Sequence, residues 1–549
     1  MKAPQREVYL VSLPLLKRAA EDGVTLARMT PRSRRDDVPV IVPLFKRLPS
    51  DSSSRMPTRP LQPGEQYRFH VDMRKCIGCK CCVVACNEQN GNPAPINWRR
   101  VGEIEGGFFP NTSRSYLSMG CNHCLEPTCL AGCPVDAYTK DPATGIVTHS
   151  ADACIGCQYC TWNCSYGVPQ YNPERGVVGK CDMCHGRLSH GDTPACVSAC
   201  PEGALQIEIV NVEEWRTTAA REMTPAGVPI EDGSLSTTRV TLPKEIPPNA
   251  RPRDITHVKP EHPHWSLIVM TVLTQMSVGA FVTIWLLQLL GASTRLGIVA
   301  AVSLTVGGLA LSAATLHLGR PVHAYRALKM WRRSWLSREV LLFAAFSIVA
   351  AAYAALLWLG VLWSAWVGAL TVACGFAGVL ASASIYRVPA RPAWNTPYTL
   401  LQFTLTAGIL GPLFAAAAGV GDSRWLAIAA ASMAGAQAAV FALRFFRCIA
   451  SDSLELKGTA RLLSTVLAGR LLLRALLLAL GGVALPLMAA GSPLLRTAAV
   501  AVGTPVQLVM LASLVLAVAA ELLERYLFFV SVVPRHMAAP YIASAREAV

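Results

Sequence analysis

The run CIGCQYCTWNC, residues 154–164, places four cysteines at the spacing C-x2-C-x2-C-x3-C. Cys76, Cys79, Cys82 and Cys86 repeat it, while Cys121, Cys124, Cys129 and Cys133 read C-x2-C-x4-C-x3-C before Pro134. Cys181, Cys184, Cys196 and Cys200 read C-x2-C-x11-C-x3-C before Pro201. Disulfides, structural zinc and iron–sulfur cubanes compete for such a set. C-x2-C neighbours bridge poorly, and disulfides need an oxidising compartment. Zinc would use the thiolates of two C-x2-C knuckles, leaving the recurring third cysteine and its C-x3-C partner unexplained. A [4Fe–4S] cluster explains both: three close thiolates cap one face of the cubane, and the fourth cysteine reaches a neighbouring cluster. The four groups therefore predict four [4Fe–4S] clusters, an electron path. Nothing near them resembles a nucleophile–base pair or a phosphate loop. Cys81, left over beside the first group, is expected to be a small buried hydrophobe.

Outward from these groups the chain divides in two. Its 549 residues exceed one ordinary domain. Hydrophobic residues make up 52% and charged residues 15%, and the excess is uneven. Residues 1–264 are polar and hold all but two of the 19 cysteines, Cys374 and Cys448 lying in the apolar remainder. The formal net charge of +15 goes with arginine-rich loops; no stripe of interleaved basic and aromatic residues points to nucleic acid. No secretory signal is expected, because Lys17 and Arg18 interrupt the first apolar patch, and Asp36 and Asp37 follow Arg34-Arg35 at once. The expected organisation is an extension at 1–65, a four-cluster domain at 66–225, a proline-rich linker at 226–264 and a membrane domain at 265–549.

Eight apolar stretches follow the linker, near 266–291, 297–319, 340–360, 366–387, 400–421, 425–446, 471–491 and 498–524. Each is close to the ~20 residues of a spanning helix, and they are apolar all round. The spans carry almost no charge, which argues against an ion-translocating protein driven by a polyferredoxin domain. With eight spans both termini share one side. That side's loops and helix ends hold seventeen lysines and arginines, against Arg295, Arg424 and Arg496 opposite. The positive-inside rule puts the richer side, and the clusters with it, in the cytoplasm of an inner-membrane protein. Beyond His264 only His317, His323 and His536 remain, none in mid-span, so no haem is expected. A quinone, menaquinone or ubiquinone, should then meet a cluster directly. The candidate site is HLGRPVHAYRALKMWRRSWLSRE, residues 317–339. His317 offers a hydrogen-bond donor and proton path at the bilayer edge. Arg326, Lys329, Arg332 and Arg333 are expected to meet headgroups. Glu521 either pairs with Arg525 or relays protons.

CNHCLEPTCLAGCPVDAYTKD, CIGCQYCTWNCSYGVPQYN and KCDMCHGRLSHGDTPACVSACPEGAL resemble the four-cluster electron-transfer subunit of the dimethyl sulfoxide reductase family. HWSLIVMTVLTQMSVGAF, HLGRPVHAYRAL and WNTPYTLLQFTLTAGILGP resemble that family's eight-span anchor subunit. The resemblance covers most of residues 66–549 and implies a natural fusion of two subunits. The implied fold is an α+β ferredoxin-type domain followed by an all-α polytopic membrane domain. The implied partner is a catalytic subunit carrying molybdenum bis-pterin guanine dinucleotide. The implied ligand sets pair outer groups with outer and inner with inner. They are Cys76, Cys79, Cys82 with Cys200; Cys121, Cys124, Cys129 with Cys164; Cys154, Cys157, Cys160 with Cys133; and Cys181, Cys184, Cys196 with Cys86. The set of Cys154 would lie nearest the membrane. Cys160 stands where related nitrate reductase subunits have tryptophan, which argues for four full cubanes. His317 and Gly319 match the family's menaquinone-site residues, Arg320 lies between that motif and His323, and His323 replaces the family's arginine. The expected function is electron transfer between that subunit and the quinone pool. Sulfite oxidation to quinone is preferred, with quinol-driven sulfoxide or N-oxide reduction as the alternative.

Overall fold

The computed structural model describes residues 55–222, 234–253, 258–291, 295–361, 363–492 and 505–535. His536, Arg496 and most of the expected extension lie outside them. The cysteine-rich half is built of small sheets between cluster loops. Strands β1 (Glu65–Asp72), β2 (Arg100–Phe108), β3 (Asn111–Met119), β4 (Tyr138–Lys140), β5 (Val147–His149), β6 (Gln170–Asn172), β7 (Val177–Gly179), β8 (Leu205–Asn211), β9 (Arg239–Thr241) and β10 (Arg251–Pro252) form four of them. The orders are β8-β1-β9, β10-β2-β3, β4-β5 and β6-β7. β1 and β8 pair antiparallel from Glu65↔Asn211 to Val71↔Leu205. That brings the two ends of the cysteine-rich sequence together, and with them the first and fourth groups.

The proline-rich segment returns over this half rather than leaving it. β9 joins β1 in parallel and β10 joins β2. Just before β9, Thr237 and Thr238 donate to the Asn122 carbonyl and side chain at 2.6 and 2.8 Å. Its prolines exclude a helix but leave isolated edge strands open.

Among the described residues eight helices are long and apolar enough to cross a membrane: α1 (Trp265–Leu289), α2 (Leu296–Thr315), α3 (Trp335–Trp358), α4 (Ser364–Ile385), α5 (Pro397–Ala417), α6 (Ser423–Ala450), α7 (Ala468–Gly491) and α8 (Pro505–Val530). α1 is the most enclosed of them, with 83% of its apolar window buried. The helices outrun the apolar runs: α3 starts at Trp335 and α8 ends at Val530, where the pattern alone suggested 340 and 524. Charged residues within or next to these runs also fold into the bundle. Arg444, Arg474, Glu521, Glu524 and Arg525 are all at most 7% exposed. The expectation of almost uncharged spans is corrected on this point. Three of the seventeen cations, Arg444, Arg474 and Arg525, thus face the interior and carry no topological information, leaving fourteen against three.

Candidate electron-transfer and quinone site

The four cysteine loops share one backbone device. The residue before the second cysteine of each group has positive φ: Gly78 (73°), His123 (43°), Gly156 (70°) and Met183 (60°). The left-handed turn folds the loop back so that neighbouring thiols face one centre. The sequence shows the device as glycine only twice. In each group backbone or side-chain N–H groups reach sulfur, as from Gly156 N to Cys154 Sγ and Met183 N to Cys181 Sγ, both 3.4 Å, and Ala204 N to Cys200 Sγ at 3.2 Å. Such donors set cluster potentials.

The fold assembles the thiols across groups. Cys76, Cys79, Cys82 and Cys200 line one pocket, and Cys121, Cys124, Cys129 and Cys164 another. Cys86 lies among Cys181, Cys184 and Cys196. Cys133, Cys154, Cys157 and Cys160 lie together. Among the described residues no three His, Cys, Asp or Glu side chains converge tightly enough for a single metal ion; a cubane spreads its four sulfurs wider than that. Burial pushes the Cys157 and Cys196 thiols up to about 12. Such groups become thiolates only with a cationic centre between them, so these residues fit iron–sulfur clusters.

The four sets stand in single file, with one fully buried polar side chain at each junction. Arg99, 1% exposed, lies between Cys82 of the first set and Cys86, Cys181 and Cys196 of the next. Lys180, 3% exposed, follows. Its ammonium is 3.7 Å from Cys121 Sγ and 2.7 Å from the Cys181 carbonyl, and it also donates to the Val147 carbonyl. Burial pulls Lys180 down, but Cys121, Cys129 and Cys181 more than offset it and it stays charged. Tyr138 sits between Cys129 and Cys160. Sequence reasoning gave none of these three a role, although Tyr138 and Lys180 lie inside the quoted motifs. Cys79 marks the exposed end of the file. Cys81 is exposed there too, which corrects its expected burial: Cys82 and Cys86 share the inner face of the helix Cys81–Asn90, and the residue before Cys82 points away.

The other end rests on the membrane helices. Gly156, Gly176 and Gly319 come from the Cys154 loop, the β6–β7 turn and the α2–α3 loop. Gly319 N donates to Gly156 O at 3.4 Å, and a Cβ on Gly319 would stand 2.1 Å from Gly176 O. Arg320 donates to Ala151 O and Arg326 to Asp152 O, both at 2.9 Å. Arg333 and Lys329 pair with Asp136 at 2.5 and 3.5 Å. The segment expected to meet headgroups is thus largely a seat for the cluster domain.

Trp162, two residues past Cys160, enters the bundle from this seam. Around it stand His264 (5.3 Å between ring centroids), His317 (6.3 Å), Tyr386 and Trp394 (each 5.7 Å) and Phe529 (6.3 Å). Burial holds His264 down to about 4, with His317, His262 and Arg391 adding to it. Burial also lowers His317 against the Cys157 carbonyl. His317 Nε2 lies 3.3 Å from that carbonyl oxygen and must donate to it. The neutral ring then offers Nδ1 as an acceptor, where the sequence suggested a donor. Of the other expected residues, Gly319 and Arg320 lie in the seam, and His323 sits beside Tyr325 in the 3-10 helix Pro321–Leu328. Sequence reasoning missed His264, Trp162 and Glu339, whose buried carboxyl meets Ser382 and lies near Tyr159 and Tyr386. Glu521 does not pair with Arg525, which instead meets Glu524 at 3.8 Å and Gln275 at 3.1 Å.

Residues 112–210 match the family described as 4Fe-4S dicluster domain, and residues 259–530 match DMSO reductase anchor subunit (DmsC). A component of the anaerobic dimethyl sulfoxide reductase of Haemophilus influenzae is 37% identical over 177 residues, 31% of this chain and 85% of that protein. The like-named component in Escherichia coli K12 is 40% identical over 148 residues, 26% of this chain and 72% of that protein. A subunit of the sulfite dehydrogenase of Allochromatium vinosum is 37% identical over 160 residues, 25% of this chain and 67% of that protein. One polypeptide here joins what those matches describe separately, and the chain belongs to the dimethyl sulfoxide reductase family as an iron–sulfur electron-transfer subunit fused to its multi-pass membrane anchor.

Proposed function

We propose that this chain connects a molybdenum catalytic subunit to the membrane quinone pool through four [4Fe–4S] clusters. The ligand sets are Cys76, Cys79, Cys82 and Cys200; Cys86, Cys181, Cys184 and Cys196; Cys121, Cys124, Cys129 and Cys164; and Cys133, Cys154, Cys157 and Cys160. When bound, the clusters supply one-electron carriers. The chain's own part is to hold them in file, to neutralise their charge with Arg99 and Lys180, and to seat the last one on the bundle through Gly319 and Arg320. The quinone head binds at His317, with Trp162 and His264 as walls and His323 at the rim. His317 Nδ1 accepts from, or returns a proton to, the quinone oxygen. The observation that carries this reading is the unbroken file of thiols from exposed Cys79 to the ring of His317.

The direction we propose is oxidation, sulfite to quinone, with the catalytic subunit in the cytoplasm. The bias of fourteen cations against three supports it. The match to dimethyl sulfoxide reductase components favours the reverse reading, quinol-driven sulfoxide reduction. Protease protection of the first 264 residues in oriented vesicles separates the two. The function itself is tested in the purified complex by iron content, paramagnetic resonance and reduction by decylubiquinol. Near sixteen irons per chain and signals that respond to quinol are expected; far fewer irons, or silence after chemical reduction, refutes it. His317→Gln should keep the iron and lose the quinol response, whereas a normal response removes His317 from the site.

A further inference from the structure

Away from the ring of His317, α5, α6, α7 and α8 enclose a second group of ionisable residues. Thr406 donates to Glu521 Oε2 at 2.6 Å, and Gln437 Nε2 to the same oxygen at 2.8 Å. Arg474 holds Gln437 Oε1 at 2.9 Å, Arg444 holds Gln402 Oε1 at 2.9 Å, and Arg525 holds Gln275 Oε1 at 3.1 Å. Glu524 lies one turn from Glu521 on α8, 3.8 Å from Arg525 Nη1. Glu521, Gln437, Gln402, Thr406 and Arg525 are all 0% exposed. Glu521 lies nine residues before the end of α8 at Val530, about 14 Å below the cluster-side face at 1.5 Å per residue.

A static ion network would close its hydrogen bonds, because an open polar group in a membrane interior is costly. This one does not. Glu521 Oε1, Glu524 Oε2, Arg525 Nε and Nη1, Arg474 Nε, Gln275 Nε2 and Gln402 Nε2 are buried with no hydrogen-bond partner. Two carboxyls, two guanidiniums and two amides with open valences are the setting in which buried water and a mobile proton are accommodated. A small pocket adjoins the group. It lies between α6, α8 and the short helix Leu454–Ser464 and is lined by Thr459, Ser531, Cys448, Arg444 and Glu524. Thr459 Oγ1 is itself buried without a partner there. On the opposite flank the group touches the quinone wall. The Arg525 guanidinium lies 3.7 Å over the Phe403 ring, Phe403 is 5.6 Å from Tyr386, and the Tyr386 phenol lies within electrostatic reach of both Arg525 and Glu339.

We propose that Glu521, with Glu524, is a proton-loading site of the membrane domain. It takes protons from the cluster-side face through the Thr459–Ser531 crevice and exchanges them as the quinone site changes charge. Quinone plus two electrons and two protons gives quinol; the electrons come from the catalytic subunit and the protons from that face. Quinol oxidation runs the same balance backwards. The groups facing Glu521 are Glu524 on its own helix, Arg474 on α7, Gln437 on α6 and Thr406 on α5; Glu524 in turn faces Arg525 on α8 and Arg444 on α6, and Gln275 on α1 holds Arg525. The inference rests on the quinone reading but concerns a different group of residues.

The test is the infrared difference spectrum of the complete complex between chemically poised oxidised and decylubiquinol-reduced states. A carboxylic C=O band is expected in the wild type, lost in Glu521→Gln and shifted in Glu521→Asp. Turnover with quinone should fall roughly tenfold or more in Glu521→Gln, with unchanged iron content and unchanged KM for quinone. If Glu521→Gln does not accumulate, Thr406→Val removes the shorter hydrogen bond and keeps the shape; it should shift the band. A band unmoved in every variant, or no band in a wild type whose clusters do respond to quinol, shows the network is structural glue and overturns the proposal. A wild type whose clusters ignore quinol refutes the function instead.

Discussion

Lys180→Met removes the positive charge between two cysteine sets and keeps the volume. Lys180 Nζ stands 3.7 Å from Cys121 Sγ. A unit charge at that distance and an effective dielectric of about 20 is worth about 4.5 kcal/mol. For a one-electron couple, about 59 mV corresponds to 1.4 kcal/mol, so the ceiling is about 190 mV. The added electron spreads over the whole cluster, and doubling the mean distance halves the effect to about 95 mV. The sign follows from charge: without the ammonium the electron is less welcome, so the potential falls. The cluster of Cys121, Cys124, Cys129 and Cys164 should drop by about 100–200 mV in a paramagnetic-resonance redox titration. The substitution also strips donors from the Val147 and Cys181 carbonyls, costing about 1–3 kcal/mol each. Lys180→Arg restores charge and donors and should hold the potential. A midpoint in Lys180→Met within about 20 mV of wild type, a shift far below the Coulomb estimate, at full iron content, would show that the ammonium does not act on the cluster.

At the seam, Gly319→Ala and Asp136→Asn should behave differently. The first puts a Cβ 2.1 Å from a backbone oxygen that has nowhere to go, costing about 1–3 kcal/mol or more; quinol reduction of the clusters should fail while iron stays bound. The second breaks an ion pair whose partners are 32% and 38% exposed. It should cost under about 1 kcal/mol and leave electron exchange normal. The His264 imidazole has a folded value of about 4, below its ordinary 6.5. The folded state therefore binds fewer protons than the unfolded one, so this contribution is complete above pH 6.5 and is lost as the pH falls toward 4. It amounts to at most about 3 kcal/mol. Thermal unfolding between pH 7 and 4.5 should show a fall in Tm that His264→Asn reduces.

Much of the candidate site was readable before any fold. Ligand spacing is a local property: a C-x2-C-x2-C loop must bend around a metal centre wherever it sits, so Cys154, Cys157 and Cys160 announce themselves. Helices that must span a bilayer likewise declare their presence in apolar residues, as each of α1 to α8 does, although the helices run past the apolar stretches. The residues that escaped notice act across the chain. Lys180, Arg99 and Tyr138 matter because of which sulfurs flank them. His264 closes the linker in sequence and comes to stand beside His317 and Trp162 only when α1 and α2 lie side by side. Arg444 and Arg474 read as loop cations because hydropathy does not record which face of a helix end turns inward.

By itself the sequence determined that this chain holds iron–sulfur clusters beside eight membrane helices, since thiol spacing and apolar length are set by covalent geometry and bilayer thickness. The tertiary structure alone decided which sulfurs stand next to which, how three glycines let the last cluster loop rest on the bundle, and that five charges meet inside it. Those depend on the pairing of β1 with β8 and on helix rotation, where residues far apart in sequence compete for the same few ångströms.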